Sequence, residues 1–270
     1  MNKNNRKQHS AVKRMKNITT ILIVITSMVF MSCVSKSQVT FELSNDLKLP
    51  FGETTIVLTN HNGDPANVYT RTTDTNTLTF IDFPYGTYAV KITSQGIGEY
   101  NYQSLTVKSS RMSHKATIIS DVGAVVRFEG REWRLLEKQE NKALFISQRI
   151  IGERRFDGNS NVWANSEIRR YLNGEFYNSL SDETKSRIVD HTTADKVFLL
   201  SVDEARRYFR SDSDRVARNS QGQASWWWLR SPGLNTYGAC YVNSAGYINL
   251  IGRSVDYTSG GVRPALWLNL

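Results

Sequence analysis

Between Val39 and about Ser120, apolar and polar positions come in short alternating runs: VTFEL, TTIVLTN, TLTFI, GTYAVKIT, YQSLTV and KATII. Thr55-Ile56-Val57-Leu58-Thr59 and Tyr88-Ala89-Val90-Lys91-Ile92 repeat every second residue, the period of a strand with one face in a core. Between the runs lie turn formers, His61-Asn62-Gly63-Asp64-Pro65 and Asp82-Phe83-Pro84-Tyr85-Gly86, whose Gly and Pro favour bends over continued pairing. About six or seven strands at this spacing predict a small antiparallel β-sandwich over residues 39–120. No helical period competes with it.

The pattern changes near Gly123. Ala124–Phe128, Glu132–Leu136 and Ala143–Ser147 read as three short strands. Ser166–Leu172 then places Ile168, Tyr171 and Leu172 on one helical side. Ser181–Val189 predicts a second helix, with Ser181 as N-cap and Asp182 and Glu183 in the first turn, where acids complement the helix dipole. Ser201-Val202-Asp203-Glu204 has the spacing of a capping box ahead of Ala205–Phe209. Strand and turn signals resume through Trp226–Leu270. Helices interrupting a β-rich stretch predict an α+β domain over 123–270, so the chain reads as two domains.

Charge changes the picture mainly at the N-terminus. The formal charge of +9 hints at a nucleic-acid partner, but Lys3, Arg6, Lys7, Lys13, Arg14 and Lys16 stand in a leader without acids. Of the 34 basic residues, the 28 that remain face 25 acids, so no nucleic-acid partner is expected. Residues 1–32 have the parts of a secretory signal: a positive start, an apolar run from Ile18 to Met31, and a small residue before the cut. That run is interrupted by Thr19, Thr20, Thr26 and Ser27 and is short for a membrane span. Phe30-Met31-Ser32-Cys33 resembles a bacterial lipobox, which implies diacylation of Cys33 and a lipid anchor. Val34 after it implies sorting to an outer membrane where the cell has two, and residues 33–38 read as a polar tether. Cys240 is then the one other cysteine, which leaves no disulfide framework and no Cys-x-x-Cys zinc site.

Two further resemblances rest on motifs. TIVLTNHNGDPANVYTRTTDTNTLTFIDFPYGTYAVKI is similar to the transthyretin-like, carboxypeptidase-regulatory type of β-sandwich, which implies a spacer or adhesive module without catalytic residues. The second domain resembles an uncharacterised bacterial family through six pieces in order: Trp133–Leu136, Ala143–Ser147, Ser166–Phe176, Asp195–Ala205, Trp227–Gly233 and Gly261–Leu266. Its end is also similar to the C-type-lectin-like fold of formylglycine-generating enzymes and of retroelement-diversified variable proteins. That resemblance implies a fixed frame carrying a contact surface of Asn, Tyr and Ser.

Candidate chemistry is sparse. An oxidase of the formylglycine-generating type needs a cysteine pair, and Cys240 stands alone in an Ala-Cys-Tyr-Val strand, where a thiol acts as a small hydrophobe. His191 has Asp190 beside it but no Gly-x-Ser-x-Gly turn, so it reads as a surface histidine and not a catalytic base. Asp212 and Asp214, flanked by Arg210 and Arg215, read as a solvated loop. After Asp214 the only carboxylate is Asp256, too few ligands for calcium; no metal or cofactor is expected. Trp227 should face away from Trp226 and Trp228, and Arg230 and Arg263 read as hydrogen-bonding frame residues.

What remains is Asn235, Tyr237, Tyr241, Asn243, Tyr247, Asn249 and Tyr257. Tyr offers rigid area with a polar tip, and Asn adaptable donors and acceptors; as ordinary turn and strand residues they would have no such role. The sequence thus reads as a lipid-anchored cell-envelope protein in which a spacer carries a non-catalytic domain that binds a protein or glycan. An envelope enzyme with an unrecognised site and a structural subunit of a surface assembly are the alternatives.

Overall fold

A computed structural model describes residues 35–60, 68–191 and 195–270. The leader, Cys33 and the His61–Pro65 turn lie outside the described residues. Residues 35–270 form one compact unit. Among the described residues no helix is long and apolar enough to cross a membrane.

The first seven strands are β1 (Lys36–Asn45), β2 (Thr54–Asn60), β3 (Val68–Thr73), β4 (Thr77–Pro84), β5 (Gly86–Ser94), β6 (Gly98–Val107) and β7 (Arg111–Ile118). They form two sheets, ordered β4-β1-β7 and β3-β2-β5-β6. All pairs are antiparallel except β1 with β7. The alternating runs put one set of side chains into a shared core: Val39, Phe41 and Leu43 from one sheet, Ile56, Leu58, Val90 and Ile92 from the other. Tyr69 on β3 meets Phe83 on β4 edge-on at 4.7 Å, so the two inner faces touch. β3 has no counterpart among the predicted runs because VYTRTT has no buried side chain to impose alternation. β1 begins at Lys36, and Ser37 is buried, so the last three residues expected as tether belong to the sheet.

The rest of the unit contains β8 (Val125–Phe128), β9 (Arg131–Lys138), β10 (Lys142–Ser147), β11 (Ile188–Val189), β12 (Val197–Phe198), β13 (Ala217–Arg218), β14 (Ala224–Ser225), β15 (Trp227–Pro232), β16 (Gly238–Val242), β17 (Ile248–Ser254) and β18 (Ala265–Asn269). The larger sheet runs β11-β18-β10-β9-β8, with β12 also on β18. β10 and β18 are apolar on both faces because both faces are covered. Ala143, Phe145, Leu266 and Leu268 point into the core that continues from the first two sheets. Leu144, Ile146, Ala265 and Trp267 point into a second core on the opposite side.

Helices α1 (Glu167–Tyr171), α2 (Asp182–Arg187), α3 (Val202–Tyr208) and α4 (Asp212–Arg215) are short, and α1 continues into a π turn at Leu172–Phe176. The predicted caps form: Ser181 and Ser201 accept backbone N–H groups, and Ser201 and Glu204 complete the capping box; Ser166, expected as the first residue of its helix, is instead the N-cap of α1. The second predicted helix ends at Arg187 instead of Val189. Ile188 is extended, and with Val189 it pairs with Leu268 and Trp267 of β18, a position that suits β-branched residues.

The two β-rich parts are tied together by backbone-directed bonds. Arg187 donates to the carbonyls of Leu47, Lys48 and Asn269 at 2.8–3.0 Å. Lys138 Nζ reaches Asp46 at 2.6 Å and the Ser120 carbonyl at 3.0 Å. Arg127 N–H donates to the Gly96 carbonyl at 2.7 Å. A Cβ on Gly96, whose φ is +78°, would lie 2.4 Å from Arg127 Cβ, so the close approach requires glycine.

Candidate recognition surface

The terminal segment folds as the three-stranded sheet β15-β16-β17. Alternation splits its tryptophans as predicted. Trp227 enters the second core with Leu229, Cys240 and Val242, whereas Trp228 enters the first. Both are fully buried, and their indole N–H groups donate to the carbonyls of Arg215 and Arg154. Gly260 makes room for Trp228: a Cβ there would sit 1.8 Å from its Nε1. The Arg-Pro and Gly-Gly residues around this strand are therefore packing devices.

Trp226 stays half-buried at the rim, edge-on to Trp228 at 4.8 Å and to Tyr241 at 5.4 Å. The Arg253 guanidinium lies 4.6 Å from the Trp226 ring, 4.5 Å from Tyr257 and 5.8 Å from Tyr241. Cation–π attraction, about 0.5–1 kcal/mol per exposed contact, fixes three aromatic rings around one cation. Arg253 and Trp226 belong to the surface as much as the predicted tyrosines. The Tyr-and-Asn pattern did not single them out, because their partnership depends on β16 pairing with β17 across Ala239↔Arg253 and Tyr241↔Asn249.

The predicted residues divide by role. Tyr237, Tyr247 and Tyr257 are exposed at 63%, 59% and 48%, with Leu234, Leu250 and Ile251 exposed beside them in sequence. Tyr237 and Tyr257 lie at the same end of the sheet, where Val255 N–H donates to the Tyr237 carbonyl. Tyr247 lies at the other end, after the β16–β17 turn. The three asparagines serve the backbone. Asn235 Oδ1 accepts from Tyr237 N–H, Asn243 Oδ1 from Ala245 and Tyr247 N–H, and Asn249 Oδ1 from Gly252 N–H, all at 2.9–3.0 Å. Their acceptors are thus used to shape turns, and the contact surface reduces to the tyrosines and their apolar neighbours. Asn161 steadies the first turn by donating to the carbonyls of Asn235 and Gly238.

His191 is not a surface histidine. Its side chain is 15% exposed, stacks on Phe198 at 3.8 Å, and places Nε2 3.1 Å from Glu204 and 3.2 Å from Arg230. Arg230 also bonds both Glu204 oxygens and the Leu199 carbonyl. Burial would push the Glu204 carboxyl up, but hydrogen bonds from His191, Arg230 and the Ser201 N–H hold it at about 2. The capping-box acid of α3 is thus also the anchor for β15. Ser231 Oγ accepts from Val202 N–H and Ser201 Oγ from Glu204 N–H, so both hydroxyls help to position the start of α3 beside this group.

Asp212 and Asp214 also differ from expectation. Asp212 pairs with Arg215 inside α4. Asp214 pairs with Arg134 on β9 at 3.3 Å and accepts from Arg210 N–H, so these acids dock a helical turn and do not form a solvated loop. Cys240 is buried, its thiol turned to the Pro232 carbonyl at 3.1 Å, and burial raises its pKa away from a reactive thiolate. Arg263 is buried between Phe209 and Trp227, donates Nε to the Ser147 carbonyl, and has its pKa drawn down to about 9 by burial and by the nearby Arg134. Among the described residues no group of three or more His, Cys, Asp or Glu side chains is arranged to hold a metal.

Residues 140–270 match the family described as Domain of unknown function (DUF6273). Five of the six motif pieces fall inside that range. Trp133–Leu136 falls outside it, although β9 hydrogen-bonds to β10 within the same sheet. No curated protein matches the chain.

Proposed function

We propose that this chain is a cell-envelope lipoprotein whose C-terminal region recognises a partner without catalysis. In this reading Cys33 carries the lipid, residues 39–120 act as a sandwich spacer, and residues 123–270 form a C-type-lectin-like domain that presents the β15–β17 surface. The observation that carries the reading is the Trp226–Tyr241–Tyr257 cluster held around Arg253, next to exposed Tyr237, Leu234 and Ile251. Rings fixed before contact lose little entropy on binding, and Tyr, Trp and Arg are the residues that dominate interfaces. Exposed aliphatic side chains among the tyrosines favour a protein partner over a glycan, because Leu and Ile offer nothing to sugar hydroxyls. The rigid ties between the two β-rich parts suit a lever that holds the surface away from a membrane. Burial of Cys240 and the commitment of His191 to Glu204 and Arg230 weigh against the enzyme alternative.

Photo-crosslinking in intact cells tests the reading. A photoreactive phenylalanine at Tyr237, and separately at Tyr247, should give discrete protein adducts, while the same probe at exposed Tyr102 should not. No adduct from either tyrosine, or the same adducts from Tyr102, removes this surface as the recognition site. Metabolic labelling with a fatty-acid analogue tests the anchor, with label expected on the wild type and lost in Cys33→Ser.

A further inference from the structure

We infer that a second site, remote in sequence from the aromatic surface, binds a small organic anion through Arg127 and Arg149. Arg127, Arg131 and Arg149 line a cavity of about 400 Å³, together with Glu132, Ile150 and Ile151. The volume is within the range of small-molecule sites. The lining residues are three arginines and one glutamate among neutral neighbours. Arg127 shares one hairpin face with Glu132, whereas Arg131 pairs with Phe128 on the other and turns to Phe176, so Arg127 and Arg149 are the cations set beside Glu132.

Two parts of the fold, the β8–β9 hairpin and the end of β10, bring the arginines to the cavity. Arg127 and Arg131 flank the tight turn between β8 and β9, in which Glu129 and Gly130 take φ values of +52° and +67°. Arg127 is steadied through its N–H bond to Gly96. Arg131 lies 5.4 Å from the Phe176 ring and donates Nη1 to the Glu129 carbonyl. Arg149 follows β10, where the buried Ser147 hydroxyl donates to its carbonyl and Glu132 lies 3.5 Å from its Nε. The nearby Glu129 carboxylate is committed elsewhere, accepting from the Ser181 hydroxyl and N–H. Glu132 thus offsets one arginine at a long distance, and the positive excess remains.

Guanidinium groups take carboxylate, sulfate and phosphate oxygens in paired hydrogen bonds. Ile150, buried, and Ile151, half-buried, add an apolar wall that a bare inorganic ion would not use. The ligand class is therefore an organic body bearing one acidic group. The cavity draws on residues both before and inside the 140–270 family match, so this chain's β8–β9 hairpin completes it.

Calorimetric titration of the full chain in detergent with glucuronate, glucose 6-sulfate, inorganic sulfate and neutral glucose tests the site. Saturable binding of a sugar acid, with sulfate weaker and glucose silent, is expected. The preference between glucuronate and glucose 6-sulfate distinguishes a carboxylate from a sulfate ester. Arg127→Gln or Arg149→Gln should raise Kd at least about tenfold, and Lys115→Gln, on β7, should leave it unchanged. Glu132→Gln should tighten binding several-fold, a gain that unfolding cannot imitate. No saturation at 10 mM, equal binding of glucose, affinity for inorganic sulfate equal to that for the sugar acids, or failure of both the arginine and the Glu132 variants to move Kd would overturn the proposal. Crosslinks at Tyr237 and Tyr247 are independent of this outcome.

Discussion

The buried frame and the exposed middle of the terminal segment have similar aromatic content but opposite surroundings. Trp227 and Trp228 are adjacent residues with no exposed surface, each spending its N–H on a backbone carbonyl in a different core. Tyr237, Tyr247 and Tyr257 are at least 48% exposed. What separates them is position relative to covered sheet faces. β15 sends Trp227 and Trp228 into cores on its two faces, whereas β17 leaves Leu250 and Ile251 exposed. Aromatic residues therefore mark two roles here, and burial distinguishes them.

The comparison can be broken by mutation. Trp228→Ala should destabilise the protein by about 3–5 kcal/mol, as large-to-small core changes do, and urea unfolding measures it. A loss under 1 kcal/mol would mean that the frame is not a frame. The next effect depends on pH. Glu204 is held at about 2 against an ordinary 4.5, so its ionised form favours the folded state. That contribution, up to roughly 3 kcal/mol at about 1.4 kcal/mol per pH unit, is fully present above pH 4.5. It is lost as pH falls toward 2. Glu204→Gln should therefore be less stable than wild type at pH 7 and converge with it near pH 2; a constant difference across that window contradicts the linkage.

Smaller effects sharpen the picture. Arg187→Ala strands the carbonyls of Leu47, Lys48 and Asn269 and should cost about 1–3 kcal/mol, with faster proteolysis between the two β-rich parts. An unchanged cleavage rate would show that the shared core alone couples them. Tyr247→Ala and Tyr237→Ala should change stability by less than about 0.5 kcal/mol. A cost near that of Trp228→Ala would move these tyrosines from the surface to the frame.

Much of this organisation was legible in local pattern. Alternation located six of the first seven strands, and Ser181 and Ser201 announced their helices because a cap acts within three residues. The strand period also separated Trp227 from its two neighbours. The candidate site was less legible. Its tyrosines stand out by composition, but Arg253 enters through cross-strand register, and the asparagine acceptors were already committed to turns. His191 and Glu204 lie far enough apart in sequence that nothing local relates them. Asp214 meets Arg134 across an even longer interval.

By itself, the sequence determined the elements whose causes are local: strand alternation, serine caps and glycine turns. Tertiary structure alone decided which aromatic residues are covered, which ions meet, and where the β8–β9 hairpin and the end of β10 enclose a cavity. Those depend on long-range pairing, which brings residues together by sheet order and not by sequence distance.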